Sequence, residues 1–130
     1  MSGFESLMWE LERDPQLSSA FANLTIFDRP PDRARFRRKM ERATIAVPRL
    51  RQRVVTSANP LERPRWVDDP DFDLDHHLHR TTLPEPGTID QLAALVGEYA
   101  SVQLDRSRPL WDMVVVEGMA DRTVAIVSKV

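Results

Sequence analysis

Apolar positions near the start of the chain recur with a helical period. Phe4, Leu7, Met8 and Leu11 fall at i, i+3, i+4 and i+7 and predict one apolar face of a short helix, opened by the capping box Ser2-Gly3-Phe4-Glu5 and ended by Asp14-Pro15. Phe21 to Phe27 is strand-like and is broken off by Asp28-Arg29-Pro30-Pro31. Asp32 can then cap a helix in which Phe36, Met40, Ala43 and Val47 form the apolar stripe, and Pro48 ends it by disfavouring the α conformation at Val47. Short strands and turns follow from Arg51 to Val67, with Asn59-Pro60 as the clearest turn.

The second half switches period. Phe72, Leu74, His76 and Leu78 alternate with Asp71, Asp73, Asp75, His77 and His79, which predicts a strand with one wet face. Pro84-Glu85-Pro86-Gly87 punctuates it, and the capping box Thr88-Ile89-Asp90-Gln91 opens a helix whose Ile89, Leu92, Leu95, Val96 and Tyr99 face a core. Leu110 to Glu117 and Thr123 to Val130 are apolar strands joined by a turn at Gly118 to Arg122. The order α-β-α-β-β-α-β-β predicts an α/β fold, a mixed sheet with flanking helices. Both last strands are apolar on both faces, as in a sheet covered on its two sides. No linker splits residues 1–130, which read as one unit. Thr123 to Val130 would pair with Leu110 to Glu117 but leave an apolar edge on its other side, a hazard that proteins avoid. The expectation is an incomplete N-terminal subdomain, truncated within a sheet strand.

Composition narrows the chemistry. The chain has no cysteine, so disulfides and thiolate metal sites are excluded. Its start lacks the cationic and apolar regions of a secretory signal, and no stretch reaches the ~18 apolar residues of a membrane span; the default location is cytoplasmic. The net charge of −2 conceals segregation: residues 29 to 65 hold 12 of the 18 Lys and Arg against Asp32, Glu41 and Glu62, a local balance of +9 that leaves −11 for the rest. A basic face of this kind suits phosphates or anionic lipid, although a block of arginines is more often a solvated helix surface.

The run Asp71 to His79 gathers titratable groups, but same-face residues on a strand lie ~6.6 Å apart, too far for one ion to hold more than two or three. A solvated strand face is the better reading, and no metal site is assigned. There is no Gly-x-Ser-x-Gly elbow, and four glycines leave no phosphate-cradling loop. The basic helix has no interleaved aromatics, so nucleic acid is not expected as a partner. Asp105-Arg106-Ser107-Arg108-Pro109-Leu110-Trp111-Asp112 sets a rigid aromatic where loop meets sheet, which alone signifies packing more often than binding.

Taken in order, several segments resemble the N-terminal part of the bacterial wax ester synthase/acyl-CoA:diacylglycerol acyltransferase family. They are Asn23 to Phe27, Val47 to Val54, Phe72 to Leu78 with Leu83-Pro84-Glu85-Pro86-Gly87, Leu104 to Trp111, and Val124 to Val130. They cover nearly the whole chain, and the ordered set is more specific than any single segment.

The resemblance implies the N-terminal part of a CoA-dependent acyltransferase-like domain. The family's His-His-x-x-x-Asp-Gly motif would follow Val130 directly, so no catalytic residue is assigned within the chain, and these residues alone are expected to be inactive without the C-terminal part. His76-His77 is no substitute, because Thr81 and Thr82 stand where Asp and Gly are required. By the same resemblance, Pro109, Leu110 and Trp111 would border the tunnel for acyl chains, and Arg35, Arg38 and Arg42 would meet CoA phosphates or an anionic lipid surface. Acyl-CoA enters as substrate rather than cofactor, and a fatty alcohol or diacylglycerol is the acceptor. Peripheral association with membrane or lipid inclusions would follow from such substrates. The alternatives are a condensation-type acyltransferase using the same motif, and a non-enzymatic basic module that docks anionic lipid or nucleic acid.

Overall fold

A computed structural model describes residues 3–11, 22–29, 32–59 and 61–130. Its elements are α1 (Gly3–Leu11), β1 (Ala22–Phe27), α2 (Arg33–Ala46), β2 (Gln52–Val55), β3 (Arg65–Asp68), β4 (Leu78–Thr82), α3 (Ile89–Ser101), β5 (Asp112–Glu117) and β6 (Val124–Lys129). Single 3-10 turns lie at Pro48–Arg51 and Leu74–His76. The box at Ser2, the stop at Asp14-Pro15, the strand start at Phe21 and the prolines 30, 31 and 60 lie outside the described residues.

The main sheet has the order β1-β6-β5-β4, antiparallel except for the parallel pair β4–β5, and β2–β3 form a separate antiparallel hairpin. The mixed sheet is therefore as the sequence pattern implies. The strand ending the chain is no edge, however. β6 pairs with β5 as expected and also with β1 along its whole length, Ala22 opposite Lys129 and Phe27 opposite Val124. The partner that closes it lies about a hundred residues upstream, a distance at which periodicity carries no pairing signal.

Local caps act where the sequence places them. Asp32 accepts from the N–H groups of Ala34 and Arg35. α2 stops at Ala46, and Val47 before Pro48 is extended. Thr88 and Gln91 form both halves of the capping box of α3. α3 lies on the sheet face carrying Val114, Val116, Ala125 and Val127, and its Leu92, Leu95, Val96 and Tyr99 complete the core there. Ile89, expected inside, is 63 % exposed. On the opposite face Val115 and Val124 are buried, and Arg80 of β4 is ion-paired with Glu117 of β5.

Two faces differ from expectation. In α1, Phe4 and Leu7 are exposed and Trp9 is buried. The Arg106 guanidinium lies over the Trp9 ring at 3.5 Å and donates to its carbonyl, a long-range contact that overrides local periodicity. The segment Phe72 to Leu78 is not one strand: Asp73 caps the 3-10 turn at Leu74–His76, and β4 begins only at Leu78. Aspartates that compete for backbone N–H groups break the ladder, so the alternation there has another origin.

Candidate functional site

The loop from Val102 to Trp111 closes over the end of the sheet where β5 starts and β6 finishes, and leaves a cleft of about 260 Å³ between them. His76, His77, Tyr99, Val102, Leu104, Asp105, Arg108, Pro109, Trp111, Asp112 and Lys129 contribute to its walls. The loop is set by Asp105, whose carboxylate accepts from the N–H and hydroxyl of Ser107 and whose second oxygen meets Arg108 at 3.3 Å. The Ser107 donors hold the Asp105 carboxyl below its ordinary range, with Arg108 adding to the effect.

Pro109 and Trp111 are buried and line the cleft, whereas Leu110 is half-buried and is not among the lining residues. Trp111 is held from three directions. Its indole N–H donates to the carbonyl of Leu50 at 2.9 Å, its ring stacks on His77 with centroids 4.6 Å apart, and its carbonyl receives a hydrogen bond from His77 Nδ1 at 2.7 Å. Phe72 stacks on the other face of His77 at 5.5 Å. The histidine drawn on a wet strand face is thus 4 % exposed, sandwiched between two aromatic rings.

A second group occupies the cleft floor. β5 and β6 bring Asp112 opposite Lys129, and the last turns of α3 bring Tyr99 above them. Tyr99 donates its hydroxyl hydrogen to Asp112 Oδ2 at 2.5 Å, and His79 Nε2 meets Asp112 Oδ1 at 2.8 Å. Lys129 Nζ donates to the carbonyls of Tyr99 and Val102 at 3.0 and 2.7 Å, capping the C-terminal end of α3, and also lies over the Tyr99 ring. Burial, then the hydrogen bond to Asp112 and its charge, raise the Tyr99 phenol far above its ordinary value. Burial lowers the Lys129 ammonium below the ordinary lysine value, and Asp112 opposes that shift. The sequence pattern puts His79 on a wet strand face, Tyr99 on the core face of a helix and Asp112 at the end of a loop, and does not bring them together with Lys129. The available signal was polar side chains at Asp112 and Lys129 on core-facing positions of otherwise apolar strands.

The basic segment divides into two populations. Arg37 is paired with Asp75, Arg49 stacks on Trp66, Arg51 donates to Thr44 Oγ1 and lies over Phe72, and Arg53 lies 3.8 Å from Asp69. These cations hold α2 and the hairpin to the rest of the chain. Arg35, Arg38 and Arg42 are exposed on one stripe of α2, with no ion-pair partner among the described residues. They lie on α2 and do not line the cleft. Among the described residues no three His, Asp or Glu side chains converge as a metal site, and no helix is long and apolar enough to cross a membrane.

A sheet of this order with a helix on one face is a fold also found in a wax ester synthase and in a condensation domain. The chain superposes over its whole length on one third of a wax ester synthase/diacylglycerol acyltransferase from Marinobacter aquaeolei, with TM-score 0.82 and 31% identity. It superposes with TM-score 0.77 on 29% of a starter condensation domain of rhizomide synthetase solved with C8-CoA; at 12% identity that likeness is one of fold alone.

The chain belongs to the wax ester synthase/diacylglycerol acyltransferase family: residues 1–130 match the family's catalytic-domain model. A Mycobacterium tuberculosis protein provisionally named a diacylglycerol O-acyltransferase is 42% identical over 124 residues, 95% of this chain and 25% of the relative. A second M. tuberculosis relative with the same type of name is 40% identical over 117 residues. The chain therefore spans about a quarter of the length of the curated relatives it matches.

Proposed function

We propose that the protein is an O-acyltransferase that moves a fatty acyl group from acyl-CoA to a fatty alcohol or diacylglycerol, and that residues 1–130 build one wall of its active site. The observation that carries this reading is family membership over the whole chain together with the position of Lys129. The resemblance puts His-His-x-x-x-Asp-Gly directly after Val130, and Lys129 already lines the cleft floor, so the motif would open at the cleft.

In that arrangement the second histidine takes the proton of the acceptor hydroxyl as its oxygen attacks the thioester carbonyl. A C–O bond forms, the C–S bond breaks, and the proton passes to the departing CoA thiolate. An imidazole is suited to both transfers because its ordinary pKa lies near neutrality. Pro109 and Trp111 offer a dry wall to an apolar chain, for which each buried CH2 is worth ~0.8 kcal/mol. Arg35, Arg38 and Arg42 remain available for CoA phosphates or an anionic lipid surface, which would bring the protein to membrane or lipid inclusions.

The test is replacement of the second motif histidine by alanine in the full-length protein. Loss of ester formation with acyl-CoA binding retained is expected. Ester formation at an unchanged rate would refute the reading.

A further inference from the structure

We propose that His77 binds the hydroxyl group of the acceptor alcohol through Nε2, which makes this cleft the acceptor subsite. The inference rests on the O-acyltransferase reading and specifies which substrate the cleft receives.

The tautomer is fixed by the partner of the other nitrogen. A carbonyl oxygen can only accept, so His77 Nδ1, 2.7 Å from the Trp111 carbonyl, carries a hydrogen. In the neutral ring Nε2 is then a bare acceptor. Phe72 and Trp111 clamp the ring plane on both sides, so it cannot turn to find another use for that lone pair. Among the described residues Nε2 makes no hydrogen bond, although the charge of the cleft-lining Asp105 is felt at His77, and the side-chain nitrogen or oxygen sealed from solvent without a hydrogen bond is Arg53 Nε, not His77 Nε2. A side chain 4 % exposed, lining the cleft, therefore keeps one unengaged acceptor open to it. A buried polar atom of this kind calls for a partner.

The charges around the cleft select the kind of partner. Arg108 is paired with Asp105, and Lys129 is tied to two backbone carbonyls beside Asp112. His76, also on the cleft wall, lies 3.7 Å from Asp73, so among the described residues lining the cleft no cation is left without a partner for a phosphate. The walls at Val102, Leu104, Pro109 and Trp111 are apolar. The complementary ligand is uncharged, has an apolar body and presents one hydrogen-bond donor. An alcohol meets all three conditions. The reacting end of an acyl thioester does not, since its carbonyl and sulfur offer only acceptors.

The test compares 1-octanol with methyl octyl ether, which has a similar chain but no donor, by calorimetric titration of the full-length protein. Octanol should bind about 5- to 10-fold more tightly, the effect of one hydrogen bond. His77→Asn keeps an N–H for the Trp111 carbonyl but lacks the Nε2 acceptor; it should reduce the preference to within about 2-fold and raise the alcohol KM by about 5- to 10-fold, with acyl-CoA KM unchanged. Equal affinity of the wild-type protein for octanol and the ether, or an undiminished preference in His77→Asn, would overturn the proposal. Because the titration needs no turnover, octanol preference without transfer activity would contradict the enzyme reading alone. Transfer activity without octanol preference would contradict the His77 assignment alone.

Discussion

The imidazole of His77 lies nearly parallel to the indole of Trp111, at an interplanar angle of 18° and a centroid distance of 4.6 Å, and donates to the carbonyl of the same residue. Trp111 also donates to Leu50, so a single side chain joins the 3-10 turn after α2, the turn before β4 and the start of β5. Trp111→Ala should cost ~3–5 kcal/mol of stability, as for other buried aromatics. Trp111→Phe keeps the stack but deprives the Leu50 carbonyl of its donor, and should cost ~1–3 kcal/mol. Urea unfolding measures both, and a Trp111→Phe protein as stable as the wild type would mean that the hydrogen bond contributes nothing beyond the ring.

Lys129 holds the end of α3 to the end of β6. Lys129→Met has similar length but leaves the carbonyls of Tyr99 and Val102 without that donor, and should destabilise by ~1–3 kcal/mol. The loss should appear as a lower melting temperature and faster amide exchange in the last turn of α3. An unchanged exchange rate there would show that solvent replaces the ammonium at no cost.

Tyr99 predicts how stability responds to alkali. Its ordinary value is 10.0, and burial with the bond to Asp112 raises it further in the folded state. Above the ordinary value the unfolded chain loses the phenolic proton while the folded chain keeps it, so the folded state binds more protons and stability falls as pH rises. Tyr99→Phe should remove that slope. Denaturation midpoints compared between pH 9 and 11 check it, and parallel profiles for the two proteins would contradict it.

The exposed stripe of Arg35, Arg38 and Arg42 on α2 predicts a charge-dependent contact outside the cleft. Changing Arg35, Arg38 and Arg42 together to Glu in the full-length protein should raise the acyl-CoA KM or weaken binding to anionic vesicles several-fold, with little change in stability because all three are exposed. The wild-type interaction should weaken with salt. If neither the KM nor vesicle binding moves, the stripe is only a solvated surface.

Much of the frame was legible because it is written locally. Asp32 and Thr88 cap helices through side chains two or three residues away, and Pro48 ends α2 through its neighbour. Those rules need no tertiary information. What escaped was long-range. Trp9 is buried by Arg106, β6 is closed by β1, and His77 leaves the wet face because Phe72 and Trp111 enclose it. The alternation from Asp71 to His79 mimicked a strand because capping aspartates also recur at short intervals. The Asp112, Tyr99, His79 and Lys129 group was hidden for the same reason: it is assembled from β5, α3, β4 and β6, and no stretch of sequence contains more than one of its members.

Ester formation from acyl-CoA is the activity proposed for the full-length protein. The most direct measurement incubates the purified full-length protein with radiolabelled palmitoyl-CoA and either hexadecanol or dioleoylglycerol, and separates the lipid products by thin-layer chromatography. Labelled wax ester or triacylglycerol is expected, with release of one free CoA thiol per ester formed. Thiol release that yields only free fatty acid, or no labelled ester with either acceptor, would contradict it.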